Sequence, residues 1–133
     1  MDVIRRARTT DIEALVRLFG TPGEQLTATL RELMNTPHVT LVVAEDDNGI
    51  VGTAQLTVLR GLSWDGAARG LLEGIRASRR GVTSALLSWG INEARRRSCT
   101  RVHLDSGLTR GDLREFYARF GFEHSYDGFT RAL

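Results

Sequence analysis

With 133 residues and a 41% apolar content, the chain is sized for one domain with a modest core, expected to span residues 1–133. No stretch approaches the roughly 18 apolar residues of a membrane helix, and a net charge of +2 is too small to argue for a nucleic-acid partner. All 18 basic residues are arginine, which suits phosphate contacts, and the lack of lysine removes the usual Schiff-base nucleophile.

Val3-Ile4 with Ala7 reads as a first strand, and the absence of an apolar run behind Met1–Arg6 argues against a secretion signal. Thr10-Asp11-Ile12-Glu13 has a capping-box pattern and opens a helix whose apolar face is Ile12, Leu15, Val16 and Phe19, ended by Gly20. Thr21-Pro22-Gly23-Glu24 starts a second helix with Leu26, Leu30, Leu33 and Met34 on one stripe, closed by Pro37. Val39 to Glu45 and Ile50 to Leu59 are arms of a hairpin around Asp46-Asp47-Asn48-Gly49. A polar connection, Arg60 to Ala68, carries Trp64, and Leu71 to Ile75 is a fourth strand.

After the arginine-rich turn Ser78–Thr83, Val82, Ala85, Leu86, Trp89 and Ala94 recur at helical spacing up to Arg97. Arg101 to Asp105 alternates as a fifth strand. Thr109 is positioned to cap a helix with Leu113, Phe116, Tyr117 and Phe120 inside, and Phe122–Tyr126 with Phe129–Leu133 reads as a last hairpin. The order predicts an α/β (α+β) fold: a mixed, mostly antiparallel central sheet of six to seven strands with about four helices on both faces.

Three places could carry chemistry. The Ser78–Thr83 turn precedes a helix, whose unpaired amides and dipole bind phosphate; Gly81 permits close backbone approach, and Arg79 or Arg80 adds charge. One glycine is a weak signal, and an ordinary basic loop fits as well. Tyr117 is either a core tyrosine or a cleft proton donor. Glu73, between Leu72 and Gly74 in an apolar strand, is either a general base with a raised pKa or a salt-bridge partner of Arg101 or Arg131. His38, His103, His124 and the single Cys99 lack metal-site spacing, and one cysteine cannot form an internal disulfide; a reducing cytoplasm is expected.

Two segments resemble the GNAT superfamily of N-acetyltransferases: Leu72-Glu73-Gly74-Ile75 with Gly81-Val82-Thr83-Ser84-Ala85-Leu86-Leu87, and Phe116-Tyr117-Ala118-Arg119-Phe120-Gly121-Phe122. The resemblance covers essentially the whole chain and implies acetyl-CoA as cofactor, a small-molecule or peptide amine as acceptor, and a homodimer. Carried over, the backbone of Ile75, Arg76 and Ala77 would bond pantetheine, and Arg80, Gly81, Val82, Thr83 and Ser84 would hold pyrophosphate. Tyr117 would protonate the CoA thiolate, Glu73 would take the amine proton through water, and Arg110 stands where many members have an asparagine touching the cofactor. The chain departs from the family at Ser78 and Thr83, and the stretch from Glu73 to Leu86 is several residues short, so that either the turn is degenerate or residues are missing there, the second favoured by the intact flanks. A degenerate turn would suit the competing expectation, a non-catalytic ligand-sensing or protein-interaction module on the same fold.

Overall fold

A high content of β-branched residues builds the centre of the molecule, a hairpin of β2 (Val39–Asp46) and β3 (Gly49–Leu59). Its turn is fixed by Asn48 N–H donating to Asp46 Oδ1 at 2.8 Å and by Gly49, whose φ of 114° a side chain would resist. β1 (Val3–Arg6) adds antiparallel to β2, and β4 (Arg69–Ala77) adds antiparallel to β3. β5 (Arg101–Leu104) lies parallel to β4, giving one sheet in the order β1-β2-β3-β4-β5. The computed structural model describes residues 2–20, 23–105, 111–125 and 128–133.

Alternation along β2 divides the core in two. Val42 and Ala44 join Ala54, Leu56 and Leu72 beneath α3 (Arg80–Arg96), whose Val82, Leu86, Leu87 and Ala94 are buried with Phe116 of α4 (Gly111–Ala118). Leu41 and Val43 face the other way, onto Ile12 and Leu15 of α1 (Ile12–Phe19) and Leu30 of α2 (Glu24–Met34). α3 sits unusually close to the sheet, because a Cβ at Gly52 would stand 2.6 Å from Val82 Cγ1 and one at Gly90 would stand 2.7 Å from Leu72 Cδ2.

Two expectations are corrected. The described sheet has five strands rather than six or seven, and residues 122–125 and 128–133 form no strand. Only Phe122 of that segment packs on the core, whereas Phe129 is 98% exposed; an undocked hairpin buries too little to hold itself. The start of α1 also differs: Thr9–Asp11 is a 3-10 turn, and Asp11, not Thr10, closes it by accepting Arg8 N–H at 2.7 Å. Asp11 is drawn in by Arg5, whose two terminal nitrogens donate to it at 2.8 and 3.0 Å, and this ion pair holds its carboxyl below the usual carboxylate range. Gly20 ends α1 in the left-handed conformation as expected, and the Thr21-Pro22 start of α2 lies outside the described residues.

Candidate functional site

The site begins with a fault in β4. Thr53 pairs with Arg76 and Gln55 with Glu73, so β4 carries one more residue than β3 between these pairs. Gly74, with φ +65°, absorbs the extra residue as a bulge. The bulge resets alternation: Gly70 and Leu72 are buried before it, and Ile75 and Ala77 pack against the same core after it. Glu73 and Arg76 are left facing the α1 side, where the Arg76 guanidinium lies 5.3 Å from the Phe19 ring.

Among the described residues the parallel pairing of β5 with β4 reaches Leu72–Leu104, followed by Asp105 N–H donating to the Leu72 carbonyl at 3.0 Å. Beyond it, Glu73 to Ala77 pair with β3 alone, and no strand among the described residues covers their other edge. Ser78 N–H bonds the Val51 carbonyl at 2.9 Å; by strand alternation Arg76 also turns its backbone groups to β3, while Ile75 and Ala77 turn theirs to the open edge.

This edge runs directly into α3. Ser78 and Arg79 alone make the turn, and Val82 and Thr83 N–H groups both reach the Arg79 carbonyl, at 3.1 and 3.3 Å. The first helical amides, those of Arg80 and Gly81, have no acceptor within the helix. Nothing lies within 4 Å of the space a Gly81 Cβ would fill, so a ligand can approach the backbone there. The two arginines divide: Arg79 is taken up by Asp2 at 2.8 Å and Asp46 at 3.5 Å, whereas the Arg80 guanidinium lies over Phe116 at 4.9 Å. Val82 is wholly buried, Thr83 is half-buried, and the Ser84 hydroxyl donates to the Arg80 carbonyl at 3.2 Å. Phosphate-binding capacity therefore rests on the helix-end amides and Arg80 more than on hydroxyls.

Glu73 is half-buried and accepts Gln55 Nε2 at 3.3 Å. Among the described residues it has no salt bridge, which removes the Arg101 and Arg131 pairings considered from sequence. Burial, and then the negative charge of Asp105, raise its pKa. Asp105 is thus the neighbour that links Glu73 to α4, because Asp105 and Tyr117 line one trough.

The acetyltransferase (GNAT) family model matches residues 8–122. The chain belongs to this family. One curated relative, the aminoalkylphosphonate N-acetyltransferase of Salmonella typhimurium, is 36% identical over 52 residues, 39% of this chain and 34% of that one. The match thus covers about a third of that protein's length. Among solved structures, a transcriptional regulator from Bacillus halodurans superposes with a TM-score of 0.90 at 25% identity, covering 100% of both chains. A predicted acetyltransferase from Clostridium acetobutylicum, crystallised with acetyl-CoA, gives 0.75 at 20% identity over 99% of this chain and 96% of its own. These likenesses agree in the mixed sheet flanked by helices.

The second GNAT-like segment is built as its spelling suggests. Phe116 is buried, Tyr117 and Phe120 pack at the core's margin, and α4 ends in a Schellman turn. Phe122 N–H reaches the Tyr117 carbonyl at 3.3 Å, Gly121 N–H reaches that of Ala118 at 3.0 Å, and Gly121 has φ +87°. No hydrogen bond among the described residues occupies the Tyr117 hydroxyl. Arg110 and Thr109 lie outside the described residues. Sequence reasoning missed Gln55, which orients Glu73 across the strand pair, and the bulge at Gly74. A glycine following an acid in a strand was the available signal.

Proposed function

We propose that this GNAT protein is an acetyl-CoA-dependent N-acetyltransferase acting on a primary amine by direct attack. The observation that carries this reading is that no described strand pairs with the outer edge of β4 beyond Leu72, with the α3 N-terminus at the end of that edge. That edge fits a pantetheine arm bonded along the backbone of Ile75 to Ala77, and the amides of Arg80 to Ser84 with the Arg80 guanidinium fit a pyrophosphate. Acetyl-CoA supplies the thioester as co-substrate. Glu73, through water, accepts a proton from the incoming amine, so that the nitrogen lone pair is free to form the C–N bond to the acetyl carbon. Tyr117 gives its hydroxyl proton to the sulfur as the C–S bond breaks, the second proton lost by the nitrogen as it becomes an amide returns through water to the Tyr117 oxygen, and Glu73 releases its proton to solvent. Asp105 beside Glu73 adds negative charge that attracts an amine.

A homodimer is expected from the family, and sedimentation tests it. The lone Cys99 is in keeping with a reducing, cytoplasmic setting. No described helix is long and apolar enough to cross a membrane.

A second reading, a ligand-sensing or protein-interaction module, is favoured by the commitment of Arg79 to Asp2 and Asp46 and of Ser84 to its own helix. The regulator from Bacillus halodurans is a relative in keeping with it. Calorimetry with acetyl-CoA followed by an amine-dependent thiol-release assay separates the two. Binding with turnover supports acetyl transfer, binding without turnover on any amine supports the sensor, and no heat at millimolar acetyl-CoA removes the first reading.

A further inference from the structure

The face of the sheet that carries Glu73 has a second, oppositely charged end. In the parallel pair, Arg69 stands opposite Arg101 and Leu71 opposite His103. Register partners in a parallel pair point to the same side, and alternation by two adds Glu73 and Asp105 to that side. A polar stripe thus runs from two arginines, past His103, to two carboxylates. The Arg69 and Arg101 guanidiniums lie 5.4 and 4.3 Å from the Trp64 ring, and that ring meets His103 edge-on at 5.0 Å. Trp64 and Asp65 are held in left-handed conformations, with φ of 54° and 57°, which aims the ring over this pair.

Neither arginine has a carboxylate partner among the described residues, and Nη1 of Arg69 is buried with no hydrogen-bond acceptor. Gly61 leaves the room for it, since a Cβ there would stand 3.1 Å from that nitrogen. Two like charges held on adjacent strands, one with an unsatisfied buried donor, are a costly arrangement that an oxyanion between them would relieve. A trough of about 1140 Å³ is lined by Trp64, Arg101, His103, Asp105 and Tyr117, one arginine and one carboxylate of the stripe among them.

We propose that Arg69 and Arg101, under Trp64, form an oxyanion subsite, so that the acceptor is an amine carrying a carboxylate or phosphonate group. The anion docks on the arginines and the amine lies toward Glu73 and Asp105. Four residues of extended strand separate the two ends, which limits the span between amine and anion to about 13 Å. This specificity rests on the acetyl-transfer reading, whereas the anion subsite itself can be tested without it.

The test uses 3-aminopropylphosphonate and 4-aminobutyrate as probes, with butylamine as the neutral comparison. Tryptophan emission is followed without acetyl-CoA, and Trp64→Phe controls for the remaining Trp89. Saturable binding of an anionic probe at least about tenfold tighter than butylamine is expected, weakened about tenfold by Arg69→Gln and by the exposed Arg101→Gln. The tighter of the two anionic probes identifies the anion. Equal binding of butylamine, or unweakened binding in both folded variants, overturns the subsite. In the transfer assay with acetyl-CoA, the kcat/KM ratio of anionic to neutral amine should exceed about ten and fall toward one in the variants, through KM. Transfer without preference overturns the subsite and leaves acetyl transfer standing; anion binding without transfer does the reverse.

Discussion

Gly52→Ala tests how tightly α3, and with it the proposed phosphate cradle, is seated. The added Cβ would stand 2.6 Å from Val82 Cγ1, 3.1 Å from Leu86 Cδ1 and 3.1 Å from the Arg76 carbonyl oxygen. Ordinary carbon contacts are about 3.5–4.0 Å, so roughly 1 Å must be absorbed at Val82 alone. Val82 and Leu86 are wholly buried, and a helical valine has essentially one rotamer. The Arg76 oxygen is backbone and belongs to β4, so the strain cannot be passed to a flexible side chain. Overpacking of this kind costs about 1–3 kcal/mol, and for a domain of this size each kcal/mol lowers Tm by roughly 3–5 °C. A drop of about 3–15 °C is expected in thermal unfolding, with weaker acetyl-CoA binding because the first turn of α3 is displaced. Gly81→Ala is the contrast, since nothing lies within 4 Å of its added methyl and alanine favours the helix; its Tm should hold or rise. A Gly52→Ala protein within about 0.5 kcal/mol of the parent in a urea titration would refute the close seating.

Tyr117→Phe should lower kcat by roughly 10²–10⁴-fold while leaving acetyl-CoA affinity within about twofold, as measured by steady-state kinetics and calorimetry. Glu73→Gln should abolish the acidic limb of the kcat/KM profile. The folded pKa of Glu73 is raised, so its contribution to stability is present below the unfolded value and lost as pH rises through the folded one. Removing that charge should therefore stabilise the protein at pH 8, seen as a higher Tm, even as activity falls. Asp11→Ala should cost about 1–2 kcal/mol, because it leaves the part-buried Arg5 guanidinium to Glu45 alone and the Arg8 amide without its acceptor. Asp11 has a lowered folded pKa, so its stabilisation is present above the unfolded value of about 4 and disappears as pH falls through the folded one. Urea midpoints between pH 2 and pH 6 should thus converge for parent and variant at the acid end.

The hairpin, the helix faces and the buried Phe116 were readable because each depends on periodicity within ten or twenty residues. Glu73 was readable for a related reason, an acid interrupting an apolar strand. The bulge was not: Gly74 takes its conformation from the mismatch with Gln55 and Thr53, which only pairing reveals. The fates of the two turn arginines were likewise hidden, since Arg79 is captured by Asp2, 77 residues away. The pairing of Arg69 with Arg101 was hidden, although Arg101 had been considered as a partner of Glu73, because their meeting depends on the parallel register of β4 and β5. The expected last hairpin had adequate local pattern, yet the described tail leaves Phe129 and Leu133 in solvent. The backbone roles of Ile75 to Ala77 came from family resemblance alone, because nothing in their side chains announces an open strand edge.

The most direct test of the central claim is an amide-resolved NMR titration of the full chain with acetyl-CoA. Saturable shifts are expected at the amides of Ile75, Ala77, Arg80 and Gly81, with little change at Leu41 and Val43 on the opposite layer. Saturable shifts confined elsewhere, or none at millimolar acetyl-CoA, would contradict a cofactor site at the open edge of β4.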